Sequence, residues 1–105
     1  MNYTKKSRIW TQISPASHDA LFQAADERHM TSAKLIKQMI YTDMVDKDAL
    51  LHDYSFVSEG ARMVAIIVSD DELETVKEIA VKYKISICMV LRRIIYTYLQ
   101  QNKLL

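Results

Sequence analysis

The chain has 105 residues, 50% hydrophobic and 26% charged, with a formal net charge of +1, which fits one compact domain and excludes polyanion binding driven by overall charge. A single glycine and a single proline exclude a fold rich in tight turns and favour helices. The lone cysteine, Cys88, excludes an internal disulfide and suits a reducing cytoplasm; no stretch approaches membrane-spanning length, and the opening MNYTKKSRIW has no apolar signal-peptide core.

In chain order, the first predicted element is a short strand, RIWTQIS, rich in β-branched and aromatic residues. Ser14 is placed to cap a helix with Pro15 at its first position. That helix carries Ala20, Leu21, Ala24 and Ala25 as an inward stripe and ends near His29. Met30 then turns into the core, and Thr31 caps a second helix running to about residue 46. Its apolar residues Leu35, Ile36, Met39 and Ile40 cover more than one stripe, so it must pack against more than one neighbour. The stretch VDKDALLHDYSFVSEGA, which holds Gly60, leads to a second strand, RMVAIIVS. Ser69 and Glu72 in SDDE form a predicted capping box for a third helix with Leu73, Val76, Ile79 and Ala80 inward, ending near Lys84. Ile85 points inward, and Ser86 caps a fourth helix with Val90, Leu91, Ile94 and Ile95, running to about residue 101.

The elements repeat. An offset of 55 residues superposes Ile40-Tyr41-Thr42 on Ile95-Tyr96-Thr97, Ser14 on Ser69 and Ala25 on Ala80, without a gap from 8 to 44. Class matches extend it: Ile9 on Val64, Ile13 on Val68, Thr31 on Ser86, Lys37 on Arg92. A strand–helix–helix unit of ~40 residues cannot bury such faces alone, and one strand leaves its backbone groups unpaired. Two copies resolve both problems if their strands pair antiparallel and four helices share one core. The expected organisation is one domain over 1–105: a first unit at 8–46, a linker at 47–61 and a second unit at 62–101.

This order, carried by Ile9-x-x-x-Ile13-Ser14 through Met30-Thr31 and by Val64-x-Ile66-x-Val68-Ser69 through Ile85-Ser86, resembles the ribbon-helix-helix (MetJ/Arc) superfamily over most of the chain. The resemblance implies an α+β, mostly helical fold: a tandem βαα-βαα chain, an intrachain pseudo-dimer with one two-stranded ribbon and four helices. Both halves on one chain look like the tandem forms among relaxosome accessory proteins of conjugative plasmids. In that family the ribbon enters the DNA major groove, and helix N-termini hold flanking phosphates. Carried over by position, the pattern puts Ile9, Thr11 and Ile13 inward and Arg8, Trp10 and Gln12 outward as base contacts, Arg suited to guanine and Gln to adenine. On the second strand it puts Met63, Ala65 and Ile67 outward, a set without a hydrogen-bonding base reader. A one-residue slip would turn Arg62, Val64 and Ile66 outward instead; the helix caps favour the first register. The phosphate contacts implied are Thr31, Ser32 and Lys34 on one side and Ser86 and Ile87 on the other, with Lys5 and Lys6 in a small basic arm. Capping alone accounts for Thr31 and Ser86, and Ile87, Cys88 and Met89 give the second clamp little side-chain support.

No catalytic set can be assembled, so an enzyme is not expected. His18, His29 and His52 lack metal-ligand spacing, Cys88 reads as a core residue, and Asp70, Asp71, Glu72 and Glu74 complement a helix N-terminus. Neither metal nor cofactor is expected, nor any membrane contact. The expected partner is double-stranded DNA, with further copies of the chain beside it. A relaxase, a coupling protein or another protein is the alternative occupant of the apolar strand. Two functional classes follow: a sequence-specific DNA-binding protein in conjugation or transcriptional repression, and a protein-interaction module that has lost part of its DNA surface. An antitoxin fits less well, because little more than NKLL follows the last helix.

Overall fold

The computed structural model describes residues 6–52 and 60–105. The described elements are β1 (Lys6–Ile13), α1 (Pro15–Glu27), α2 (Ser32–Tyr41), β2 (Arg62–Ser69), α3 (Asp70–Tyr83) and α4 (Ile87–Gln101). The fold is α+β and mostly helical, with one two-stranded antiparallel sheet and four helices among the described residues. Among those residues no helix is long and apolar enough to cross a membrane.

The strands pair with Arg8 opposite Ile67, Trp10 opposite Ala65 and Gln12 opposite Met63. Ile9, Thr11 and Ile13 are buried on one face with Val64, Ile66 and Val68, so the register favoured by the helix caps is the one observed. The buried face rests on the helices: α4 packs along β1 and α2 along β2, while α1 and α3 pack against α4. Leu35, Ile36, Met39 and Ile40 of α2 meet Val90, Leu91, Ile94, Ile95, Tyr98 and Leu99 of α4 in one core.

Local chemistry sets the helix starts. Ser14 accepts from the Ser17 amide at 3.2 Å, with Pro15 at the first position of α1. Ser69 accepts from the Glu72 amide at 3.3 Å while Glu72 accepts from the Ser69 amide at 2.9 Å, completing the capping box. Thr31 and Ser86 accept from the amides of Lys34 and Met89, each at 3.2 Å.

The turns between helices are built alike. His29 and Lys84 take left-handed conformations with φ of 57° and 56°. The amides that follow reach back five residues, Met30 to the Ala25 carbonyl and Ile85 to the Ala80 carbonyl, each at 3.0 Å. The left-handed region costs an L-residue on the order of 1 kcal/mol that glycine escapes. Lys84→Gly, at an exposed position, is therefore expected to stabilise the fold by up to about 1 kcal/mol, the wider freedom of unfolded glycine offsetting part of the gain. Chemical denaturation checks this; a destabilised variant would show that the Lys84 side chain contributes more than its backbone strain costs.

One helix ends earlier than expected. The sequence pattern predicts a second helix running to about residue 46, but α2 stops at Tyr41. The Thr42 hydroxyl donates to the Gln38 carbonyl, and the Lys47 ammonium caps the carbonyls of Thr42 and Val45. The chain then lies across α3 and α4. Tyr83 donates to the Lys47 carbonyl at 2.7 Å and accepts from the Leu50 amide at 3.1 Å, and Thr97 accepts from the Leu51 amide at 2.9 Å. Val45 and Leu50 are buried beneath this crossing.

Candidate nucleic-acid interface

With one face of the ribbon committed to the core, alternation along β1 leaves Lys6, Arg8, Trp10 and Gln12 exposed on the other. On β2 the outward residues are Met63 and Ile67, 54% and 58% exposed, with Ala65 half-buried between them. The register joins these into cross-strand pairs. Arg8 lies beside Ile67 at one end, Trp10 beside Ala65 at the centre, and Gln12 beside Met63 at the other end. Trp10 is 45% exposed although aromatic side chains are usually mostly buried, so the face combines cationic, amide and apolar groups in a single strip.

The helices flank this strip. A groove of 430 Å³ runs between β2 and α2, lined by Arg8, Lys34, Lys37, Ala33, Ala65 and Ile67. A smaller one, 200 Å³, lies between β1 and the start of α4 and is lined by Arg8, Trp10, Ile87 and Cys88. Thus the ribbon face is bordered by the opening turns of α2 and α4, whose first amides have no intrahelical acceptor. Of the residues expected to hold phosphate, Thr31 and Ser86 are exposed N-caps, Lys34 is exposed, and Ser32 and Ile87 are half-buried at the first helical positions. Lys6 extends the exposed edge of β1, while Lys5 lies outside the described residues. On the strand side both grooves share Arg8 among otherwise apolar residues, and they differ at the helix: ammonium groups on α2, aliphatic and thiol groups on α4.

Two further basic residues flank the ribbon, and neither is among the contacts that the sequence implies. Arg92 donates from Nε to the Gln12 carbonyl at 2.9 Å and fixes that end of β1. Lys37 pairs with Glu72 at 3.2 Å and ties α2 to the start of α3. The signal that marks them is their superposition on each other at the 55-residue offset.

Glu72 is the electrostatic pin of this region. The Ser69 amide holds its carboxyl below the usual carboxylate range, burial pushes the other way, and Lys37 lowers it further. The Tyr41 hydroxyl donates to the Glu72 carbonyl at 2.9 Å, and burial, then the Glu72 charge, push its pKa up to about 12. Because the folded pKa of Glu72 lies below its unfolded value, its contribution is fully present above the unfolded pKa and is lost as pH falls through the folded one. Glu72→Gln keeps an acceptor for the Ser69 amide and removes the charge. The wild type is expected to lose stability faster than Glu72→Gln on acidification below about pH 5. Thermal melts of both proteins across that range check this, and parallel acid limbs would refute it.

No family model, no curated protein and no solved structure matches the chain. Among the described residues, no group of His, Cys, Asp or Glu could hold a metal ion.

Proposed function

We propose that the chain is a tandem ribbon-helix-helix protein that binds double-stranded DNA by inserting β1 and β2 into the major groove. The observation that carries this reading is the outward row Arg8, Trp10 and Gln12 on a two-stranded ribbon whose opposite face is fully committed to the core. B-DNA's major groove admits a two-stranded ribbon, and Arg and Gln match guanine and adenine edges there. The register supports the tandem arrangement. Trp10 pairs with Ala65, the residue that the 55-residue offset superposes on it. Two copies related by a two-fold axis through that pair would have this register, and the matched turns at His29 and Lys84 agree with it. Arg8, Trp10, Gln12, Met63, Ala65 and Ile67 are the proposed base-contacting set. Lys5, Lys6, Thr31, Ser32, Lys34, Ser86 and Ile87 are the proposed phosphate-contacting set. The biological setting is a conjugation accessory factor or a transcriptional repressor, both cytoplasmic.

A second reading rests on the exposure of Met63 and Ile67: β2 as a docking strand for a protein such as a relaxase or coupling protein. Binding to the DNA upstream of the protein's own gene and to a candidate transfer origin, at two salt concentrations, tests the first reading. Tight binding that weakens steeply with salt is the expected result. Absence of binding at low salt would leave the docking reading.

A further inference from the structure

We infer that the two ends of the ribbon read different bases, so that the preferred duplex lacks dyad symmetry and Arg8 and Gln12 specify opposite half-sites. The inference rests on the DNA-binding reading and on the strand register. In an antiparallel ribbon centred on Trp10 and Ala65, Arg8 and Gln12 lie on the same strand at opposite ends. Each is paired across the ribbon with a different apolar residue, Ile67 beside Arg8 and Met63 beside Gln12.

Two-fold symmetric recognition would need the same outward residues at both ends. The offset superposes Met63 on Arg8 and Ile67 on Gln12, so each polar reader has an apolar counterpart in the other copy. One end therefore offers a guanidinium beside a branched aliphatic, which suits guanine with a neighbouring thymine methyl. The other offers a carboxamide beside a thioether, which suits adenine with a neighbouring thymine methyl. The surroundings follow the same division. Lys34 and Lys37 line the groove that holds Arg8 and Ile67, whereas Arg92 is bound to the backbone at Gln12. Neither apolar residue is needed for the core: Met63 and Ile67 are 54% and 58% exposed.

The test is selection from a randomised duplex library with the full chain, followed by sequencing of the bound fraction. The expected motif is non-palindromic, with a guanine preference in one half that Arg8→Ala abolishes and an adenine preference in the other that Gln12→Ala abolishes. Each loss should be about tenfold or more in relative enrichment at its own position, with the other half unchanged. The double variant Met63→Arg/Ile67→Gln gives both ends the same outward pair and is expected to select a palindrome. Circular dichroism and a melting curve establish that it is folded. A palindromic motif from the unaltered chain, or a double variant that folds and keeps the original asymmetric motif, would overturn the inference while leaving DNA binding intact. Failure to enrich any duplex would overturn the DNA-binding reading, and the inference with it.

Discussion

Ile94→Ala is expected to cost about 2–5 kcal/mol of folding stability, a large fraction of the roughly 5–15 kcal/mol that holds a domain of this size together. Ile94 is fully buried in α4, the helix that touches β1, α1, α2 and α3. Its truncation removes apolar contacts and leaves a cavity where those elements meet, and a close-packed core collapses only partly around such a void. The same chemistry on the surface provides the contrast. Val81→Ala, at a position 76% exposed, should stay within about 0.5 kcal/mol of the unaltered protein. Urea denaturation of both variants measures the difference at unchanged m-value. Equal midpoints would mean that α4 is not the centre of the core.

Arg8→Ala is expected to weaken binding to the preferred duplex by about 1–3 kcal/mol and to relax the base preference at one position. No described residue forms a salt bridge with the Arg8 guanidinium, which lies at the exposed end of the ribbon beside Ile67, so its truncation leaves the fold intact. Lys6→Ala is the control. A phosphate contact carries no base information, so its loss should weaken all duplexes alike and flatten the dependence on salt. Binding isotherms at two ionic strengths on preferred and scrambled duplexes separate the two effects. An Arg8→Ala protein with undiminished preference would remove the ribbon from the recognition surface.

Much of this arrangement is legible in the sequence because local signals agree with one another. Ser14 before Pro15, Ser69 before Glu72, and the caps Thr31 and Ser86 each mark a helix start with short-range chemistry. Alternation along RIWTQI separates Arg8 and Gln12 from Ile9 and Ile13, since a slip of one residue would bury the two polar side chains; MVAIIV is apolar throughout, and there only the helix cap that follows, Ser69, favours one face. The end of α2 was not legible. Tyr41-Thr42 and Tyr96-Thr97 are the same dipeptide, yet the first ends a helix and the second continues one. The difference lies in the partners: Lys47, five residues on, caps the carbonyl of Thr42, whereas Thr97 is buried and accepts the amide of Leu51, a residue distant in sequence. The positions of Lys37 and Arg92 beside the ribbon were hidden for the same reason, because their partners Glu72 and the Gln12 carbonyl are distant in sequence.

If DNA is held against the outward face of the ribbon, the chain carries its own reporter there. Trp10 is the only tryptophan and lies at the middle of that face, 45% exposed. Titration of the duplex recovered from selection, followed through Trp10 emission and its quenching by acrylamide, reads out DNA bound to this face. The expected result is a saturable change in emission and a fall in acrylamide access, with an affinity that drops steeply between low and high salt. DNA binding confirmed by an independent mobility shift, with Trp10 emission and access unchanged, would contradict it.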